Sequence, residues 1–313
     1  MVIQGDSIKF SPLAQTLQLT NAERFTISIM LFWSHPQEES MKVTLTIIMV
    51  LLFTLQIVAA EENQLLKRVK FPESNYIITG FGPLKSSHGK SDSTSHNNQV
   101  KFKINLAYKV FGSDSSQTGV YLGYTQNSFW NFFDNSYPFN DNNYKPELTV
   151  VLETSKNKDT PFKPVLKVSL NHESNGVKGP RDRGWDRILG GIDFCHIQNG
   201  GVFGGLDLWA TVHTNKNNSD IRMYAGDGVL KFGYFRLKND LMLWGISNNT
   251  RVCFNNCKFT SNELDFYCNP FRNLSSSWRW MPSFMVQYFS GTGEYLLNYK
   301  VHSRSLRIGF TFL

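Results

Sequence analysis

The sequence has few long hydrophobic runs and no concentrated basic patch, and these two absences argue against a helical membrane protein and a nucleic-acid-binding protein. Its mean hydropathy is −0.29 although aromatic residues make up 14% of the chain, a combination that argues against a bundle of membrane-spanning helices. The net charge of +7 comes from lysines and arginines scattered along the sequence. Because a nucleic-acid site gathers such charges on one surface, we expect no nucleic acid as a partner.

Cysteine is also scarce, with four residues in the chain. Three of them, Cys253, Cys257 and Cys268, are close in sequence, but they lack the second ligand pair that is typical of a zinc site. One disulfide in a loop is therefore the favoured interpretation, with a zinc site as the alternative. A disulfide is consistent with an oxidising compartment.

One hydrophobic run stands out, from Val43 to Val58, after Met41 and the basic Lys42. It is followed by two alanines and two glutamates, and small side chains at positions 58 and 60 suit a signal peptidase. We therefore predict a signal peptide over residues 41–60, cleaved after Ala60, and an upstream extension of the reading frame over residues 1–40. An uncleaved membrane anchor is the alternative, although the run is shorter than the roughly 20 residues that a spanning helix needs.

From residue 99 onward, apolar and polar side chains alternate in short segments separated by turn residues. Val100, Phe102 and Ile104 alternate with lysines and an asparagine, and the last segment ends in Phe312 and Leu313 at the carboxyl terminus. Alternation at period two predicts strands with one apolar and one polar face. The other segments carry the apolar sets Val120, Leu122 and Tyr124; Leu166, Val168 and Leu170; Ile188, Ile192 and Phe194; Leu206, Leu208, Ala210 and Val212; and Leu306, Ile308 and Phe310.

Regular strands of about ten residues with an apolar outer face are typical of a transmembrane β-barrel. We predict an all-β fold of this kind over residues 99–313, with room for roughly 10 to 14 antiparallel strands. Asp193 and Asp207 are out of phase with the apolar residues of their strands and are predicted to face the lumen. Residues 61–98 are interpreted as a polar lead-in. A soluble β-sandwich also alternates and is the alternative fold.

Three side chains suited to acyl transfer fall on one predicted hairpin. His172 and Ser174 share a face at period two, and a turn at Gly179-Pro180 sets Asp186 opposite His172 on the next strand. A serine hydroxyl needs a neighbouring base, and a histidine base needs a third group to orient it. All three continue the apolar face of their strands, so a site built from them faces lipid. The alternative is that this His-x-Ser sequence is a short polar run at a strand end that forms part of a loop and has no catalytic role.

The run from Asn171 to Arg187 resembles the active-site hairpin of the outer membrane phospholipase A family. Four blocks match that family's motifs in order. They are this run, Tyr124 to Trp130, Pro138-Phe139 with Asn143 to Pro146, and Tyr288 to Glu294 through Asn298-Tyr299.

The resemblance implies a twelve-stranded barrel that hydrolyses phospholipid acyl esters, depends on calcium and acts as a homodimer. His172 would be the base and Ser174 the nucleophile. The family's third residue is commonly asparagine, so Asp186 is a departure that we expect to preserve activity. Residues at the family's calcium-ligand positions are Ser136, the backbone carbonyl of Val177, and Asp182, which stands in place of a hydroxyl residue. A carboxylate is a better donor to a hard cation. An ion pair between Asp182 and a neighbouring arginine on an exposed turn is the alternative.

Gln126 is in phase with the lipid-facing residues of its strand, where an unpaired amide would cost a few kcal/mol. The family places a glutamine here in its dimer contact; the alternative is a strand end above the membrane. A barrel without catalysis, such as a porin, and a soluble secreted β-protein are the competing functions. Six further histidines have no serine or carboxylate at comparable spacing and are assigned to the surface or the lumen: His35, His88, His96, His196, His213 and His302.

Overall fold

The computed structural model describes residues 69–70, 73–81, 98–133, 139–154, 164–198, 200–238, 241–258, 261–273 and 282–312. The predicted upstream extension (1–40) and signal peptide (41–60) lie outside these residues. The described chain forms thirteen strands, the short helix α1 (Arg222–Ala225), and 3-10 turns at Gly179–Arg181, Lys216–Asn218 and Pro270–Asn273. The strands are β1 Val69–Lys70, β2 Asn75–Phe81, β3 Asn98–Phe111, β4 Gly119–Trp130, β5 Phe139–Glu153, β6 Val165–Ser174, β7 Gly184–Gln198, β8 Gly200–Thr214, β9 Gly228–Lys238, β10 Leu241–Val252, β11 Asn262–Cys268, β12 Ser283–Gly291 and β13 Ser303–Phe312.

The strands β2 to β13 form a closed antiparallel barrel of twelve strands. Each pairs with its neighbour in sequence, and the ring closes because β13 also pairs with β2, for example Ile308 with Thr79. The two-residue β1 pairs with β3 through Ala107 and Tyr108, residues whose other neighbours lie in β4. It therefore lies on the same edge of β3 as β2. Closure removes the alternative of a two-sheet sandwich.

The first barrel strand, β2, was not predicted from the sequence. Residues 61–98 were expected to be a polar lead-in, yet β2 lies inside them and completes the ring. Tyr76 and Ile78 are buried on the inner side, while Ile77 between them is half-buried on the other. A strand of seven residues that is apolar on both faces has no period-two signal, which is why the alternation did not reveal it.

The outer and inner faces of the barrel differ as the alternation predicted. Exposed apolar side chains form the outer face, whereas charged and amide side chains are buried inside, an arrangement typical of membrane barrels. No helix in the part of the chain that the structure describes is long and apolar enough to cross a membrane. The exposed residues include Leu122, Leu148, Val168, Leu170, Ile188, Val202, Val212, Phe232, Leu306 and Ile308.

Ion pairs fill the lumen at two levels. At one level, Lys101 donates to Gln287 over 2.7 Å and to Glu263 over 3.2 Å, and Arg307 pairs with Glu294. At the other level, Lys167 contacts Asp193 at 2.5 Å and Asp207 at 2.8 Å. The predicted lumen positions of both aspartates are therefore confirmed. Buried charges of opposite sign satisfy each other where water is displaced.

Antiparallel order places the connections alternately at the two ends of the barrel. The segments after β4, β6, β8, β10 and β12 therefore share one end, which we call the site end. A small apolar cluster lies at this end, with one residue from β7 and the rest from the segments after β8 and β12. Its buried members are Trp185, Ile221, Ala225, Leu296 and Tyr299. This cluster lies beneath the predicted hairpin and supports it from inside.

Candidate active site

The predicted hairpin is formed by β6 and β7, with a 3-10 turn at Gly179–Arg181 in the connection. Cross-strand partners are His172 with Asp186 and Ser174 with Gly184. The register therefore places Asp186 directly opposite His172, as its distance from the turn predicted. Because the pairing continues over ten residues of each strand, this placement is fixed by the sheet rather than by a loop.

His172 and Asp186 are joined by a short hydrogen bond. The imidazole Nδ1 lies 2.6 Å from Oδ1 of the carboxylate, and the two side chains are 51% and 43% exposed on the outer face of the barrel. An ionised carboxylate only accepts hydrogen bonds, so Nδ1 carries the proton and Nε2 keeps a free lone pair. This is the tautomer that a general base requires.

Ser174 lies two residues beyond His172 on the same face, at the last position of β6, and is half-buried. Among the described residues, no hydrogen bond joins its hydroxyl to the His172 ring. The structure thus brings His172 and Asp186, the predicted base and orienting acid, into contact, and Ser174, the predicted nucleophile, follows His172 on the same strand face. Catalytic hydrogen bonds commonly tighten only when substrate binds.

The opposite face of the same hairpin carries a polar and aromatic support. Glu173 accepts hydrogen bonds from Trp185 Nε1 at 3.1 Å and from Arg187 Nη2 at 2.5 Å. The guanidinium of Arg187 lies 3.9 Å from the centre of the Trp185 ring and 5.3 Å from that of Trp209. These contacts tie β6, β7 and β8 together on the inner side, so the outer residues are held on rigid strands.

Asn175 organises the connection between the two strands. It is 3% exposed, and its side chain accepts from the Arg183 amide at 3.0 Å and donates to the Arg181 carbonyl at 2.9 Å. Gly176 follows with a φ of 66°, which a side chain would strain, and a Cβ there would also lie 3.0 Å from the Tyr144 ring. Asn175 lies within the matched run and had no predicted role of its own, although Asn-Gly is a known turn signal.

The predicted calcium ligands lie on this connection or outside the described residues. Val177 is on its exposed part, Asp182 is half-buried next to β7, and Ser136 falls among residues that the structure does not describe. A backbone carbonyl and a carboxylate are hard oxygen donors, so the described residues fit calcium. The alternative ion pair between Asp182 and an adjacent arginine is wrong. Its Oδ1 instead accepts from Asn215 Nδ2 at 2.8 Å, while Arg183 donates to the carbonyls of Pro180 and Asp182.

A second segment, residues 215–218 after β8, braces the connection between β6 and β7. Asn217 donates to the Gly179 carbonyl at 2.9 Å. Asn218 is fully buried and bonds both backbone groups of Gly184, accepting from N–H at 3.2 Å and donating to the carbonyl at 3.1 Å. Together with Asn215, these amides hold the connection at both its turn and its end. The asparagine-rich run at 215–218 was the available sequence signal.

The far end of this bracing segment is fixed in turn by the segment after β12. The Tyr299 hydroxyl donates to Asp220, and Lys300 Nζ lies 2.7 Å from the other oxygen of that carboxylate. Burial, together with the nearby Asp220 carboxylate, raises the pKa of the Tyr299 phenol above its usual range. The phenol therefore stays protonated and keeps donating at neutral pH.

The sequence that forms this barrel matches a known family. A family profile described as Phospholipase A1 covers residues 61–312. The chain belongs to the phospholipase A1 family. Its members are carboxylic ester hydrolases of the outer membrane. The chain is 26% identical over 247 residues to Phospholipase A1 of Klebsiella pneumoniae, across 76% of this chain and 79% of that protein. It is 30% identical over 171 residues to Phospholipase A1 of Proteus vulgaris, across 52% and 57% of the two chains.

Solved structures of phospholipase A have the same fold. The chain is similar to an active-site variant of outer membrane phospholipase A from Escherichia coli, with a TM-score of 0.65, 21% identity, and coverage of 83% of this chain and 96% of that one. It is also similar to the Salmonella typhi outer membrane phospholipase, described as a dimer with bound calcium, with a TM-score of 0.64, 22% identity, and coverage of 82% and 96%. At these identities the likeness shows the fold, and the predicted twelve-stranded barrel is confirmed.

The predicted dimer residue of this phospholipase A1 relative, Gln126, lies within β4, between Ile104 and Tyr144 on the adjoining strands. Its amide oxygen accepts from the Tyr124 hydroxyl and its amide nitrogen donates to the Ser128 hydroxyl, each over 2.9 Å. The amide is therefore paired within this chain, and the place of Gln126 in a dimer contact stays a prediction. Side chains two residues apart on one strand face satisfy the amide within a single barrel. Strand β4 continues four residues beyond Gln126, to Trp130, and the alternative of a position above the membrane stays a prediction.

Two further features of this phospholipase A1 relative concern its cysteines and histidines. Cys253 and Cys257 form a disulfide across a Cα separation of 6.1 Å, which confirms the predicted loop disulfide; Cys195 and Cys268 are free thiols. His213 was assigned to the surface or the lumen and lies on the outer surface, where its Nδ1 is 3.3 Å from Oδ2 of Asp186, a contact that the sequence spacing did not indicate. The partner was missed because an irregularity in β8 changes the phase of the strand, as shown by the register shift at this point.

Proposed function

We propose that the barrel hydrolyses acyl esters of membrane phospholipids at its outer face, through His172, Ser174 and Asp186. Phospholipase A1, phospholipase A2 and lysophospholipase reactions all belong to this chemistry. The observation that carries the proposal is the 2.6 Å contact between His172 Nδ1 and Asp186 Oδ1. It lies in phase with exposed apolar side chains such as Leu170 and Ile188, where an acyl chain in a bilayer can reach it.

The reaction follows from the protonation states. His172 Nε2 takes the proton from the Ser174 hydroxyl as the oxygen attacks the ester carbonyl, and Asp186 stabilises the imidazolium that forms. The proton then passes to the departing alcohol, which is a lysophospholipid when the substrate is a diacyl phospholipid and a glycerophosphodiester when it is a lysophospholipid. Water repeats the cycle on the acyl-serine, with His172 again the base, and releases a fatty acid. Asp186 stays ionised throughout.

Calcium is part of the proposal, held by Asp182, the Val177 carbonyl and Ser136. When bound there, calcium supplies positive charge that stabilises the oxyanion of the tetrahedral intermediate. Two observations support it: the half-buried Asp182 carboxylate is positioned by Asn215, and a Salmonella typhi relative is described with bound calcium. Val177 and Asp182 belong to the connection between β6 and β7, which side-chain amides brace, so these two donors are held without metal.

We further propose that two copies form a homodimer, with Gln126 near the contact. The exposed apolar surface around it includes Leu122 and Leu148, and the Salmonella typhi relative is described as a dimer. Export to the outer membrane would use the signal peptide predicted over residues 41–60. Amino-terminal sequencing of the protein purified from membranes should then begin at Glu61, whereas a start at Met1 or Met41 would contradict cleavage.

A passive pore is the competing function, and the lumen argues against it. Arg307 and Glu294 inside the barrel are 1% and 8% exposed, and an open aqueous channel would leave such charges in water. The test is release of fatty acid from phospholipid in mixed micelles, with and without calcium, by the wild-type protein and Ser174→Ala. We expect calcium-dependent release by the wild type alone. Full activity in Ser174→Ala, or channel conductance without hydrolysis, would overturn the proposal.

A further inference from the structure

The carboxylate of Asp186 has an imidazole at each of its oxygens. His172 Nδ1 lies 2.6 Å from Oδ1, and His213 Nδ1 lies 3.3 Å from Oδ2. The three residues come from three consecutive strands and are direct cross-strand partners, His172 with Asp186 and Asp186 with His213. The row His172, Asp186, His213 therefore runs across β6, β7 and β8 at one level of the barrel.

His213 reaches this row because β8 carries an extra residue. Arg187 pairs with Thr211 and Asp186 pairs with His213, so Val212 has no partner of its own. Up to that point the even-numbered residues of β8 face outward, and Val212 is 64% exposed. Continued alternation would turn His213 towards the lumen. The bulge turns it outward instead, and its side chain is 64% exposed. Bulges commonly redirect a side chain beside an active site.

A second contact fixes the orientation of the Asp186 carboxylate, which one contact cannot do. With His172 alone, the Asp186 carboxylate is free to rotate about its own bond, because the side chain is 43% exposed and held at one oxygen. The His213 imidazole, 3.3 Å from Oδ2, restrains the plane of the group, so that Oδ1 remains directed at His172. Fixing the orienting group fixes the tautomer and ring direction of the base, as supporting contacts do in other catalytic sites.

We propose that His213 is a positioning residue that holds the Asp186 carboxylate in line with His172. The inference rests on the triad proposed above and extends it by one residue on the neighbouring strand. His213 touches neither the nucleophile nor the base, so it acts through Asp186. The interface of a membrane excludes much of the water that would weaken such a contact, and we therefore expect a measurable effect on turnover.

The experiment compares His213→Ala, His213→Gln and Leu208→Ala in the full-length protein, purified into micelles. Leu208 is the matched control, since it faces outward on the same strand away from the site. The readouts are kcat and KM for fatty-acid release with saturating calcium, and the proton resonance of His172 Nδ1 in histidine-labelled protein. Folding is checked by the difference in gel mobility between heated and unheated samples.

We expect His213→Ala to lower kcat about threefold to thirtyfold with KM unchanged, and to shift or broaden the His172 Nδ1 proton resonance. His213→Gln keeps a donor and should recover at least half of the activity, and Leu208→Ala should match the wild type. An unchanged kcat or an unchanged resonance in folded His213→Ala would overturn the proposal. If His213→Ala does not fold, His213→Gln carries the test. In that case at least half of the wild-type activity with a His172 Nδ1 resonance moved from its wild-type position supports the role, because a different side chain then contacts Oδ2; an unmoved resonance or a larger loss of activity overturns it.

Failure of the proposed function gives a different result. If the protein has no esterase activity and Ser174 is not acylated or sulfonylated, the triad is wrong and His213 has nothing to position. If the wild-type protein is active and loses activity in Asp186→Ala, but His213→Ala is silent, only the inference about His213 is wrong.

Discussion

His172 and Asp186 occupy facing positions on β6 and β7, with Nδ1 and Oδ1 2.6 Å apart on the outer surface of the barrel. Strand register sets this pair. If one strand slipped by one residue relative to the other, its side chain would turn to the other face of the sheet and the pair would be lost. A catalytic pair built in this way depends little on loop conformation. It follows that substitutions at either position should act on chemistry with little effect on folding.

Replacing Asp186 by asparagine should lower kcat less than replacing it by alanine. Asp186→Ala removes the acceptor that fixes the His172 tautomer, and we expect kcat to fall about 10²-fold to 10⁴-fold. Asp186→Asn keeps an oxygen that can accept from Nδ1–H, and the resembling family commonly has asparagine here, so a loss of about tenfold or less is expected. Steady-state kinetics with a phospholipid in micelles checks both. Wild-type kcat in Asp186→Ala would remove this residue from the mechanism.

The role of Asp182 can be tested apart from catalysis. Asp182→Ala should raise the calcium concentration needed for half-maximal activity by about tenfold or more, because one anionic donor is lost. Titration calorimetry with calcium alone gives a second readout that does not depend on turnover. Lys178→Ala, on the exposed part of the same connection, is the control and should leave calcium binding unchanged. Equal calcium affinities in the two variants would contradict the ligand assignment.

The bracing asparagines predict a difference in stability. Asn218 is fully buried and bonds both backbone groups of Gly184, so Asn218→Ala should lower the free energy of unfolding by about 1–3 kcal/mol. Asn217 is exposed and makes one bond to Gly179, so Asn217→Ala should cost under about 0.5 kcal/mol. Denaturant titration in micelles measures both. A larger loss for Asn217→Ala would show that the brace is misassigned.

The dimer proposal predicts contact between copies at β4. In a Cys195→Ser, Cys268→Ser background, which removes the free thiols, Gln126→Cys should form an intermolecular disulfide under mild oxidation. Ile308→Cys, equally on the outer face but on β13, should remain monomeric. The check is a non-reducing gel of protein in calcium and detergent. Equal crosslinking at both positions would indicate random collision instead of a specific interface.

The sequence was sufficient for the features that depend on regular alternation. Strict period two at Leu166, Val168 and Leu170 predicted β6, its outward face, and the place of His172 one step further along. Counting from the turn then predicted the contact with Asp186. Each of these steps uses only local periodicity and one hairpin, where sequence distance and spatial distance are directly related.

The features that the sequence did not reveal lie where the strand alternation is interrupted or where segments distant in sequence come into contact. The bulge at Val212 turns His213 to the outer face, and no residue type at this point predicts a bulge. The bond between Asn215 and Asp182 joins two connections that are 33 residues apart, so no local pattern encodes it. Strand β2 was missed because Ile77 and Ile78 make both of its faces apolar.

The central claim is that Ser174, activated by His172 and Asp186 on the lipid side of the barrel, is the nucleophile of a phospholipid hydrolase. The most direct measurement is labelling of the wild-type protein with a long-chain sulfonyl fluoride, with and without calcium, followed by peptide mapping. The account predicts one modified residue, Ser174, with labelling that calcium accelerates and that His172→Ala abolishes. Label on any other residue, or none under conditions in which phospholipid is hydrolysed, would contradict it.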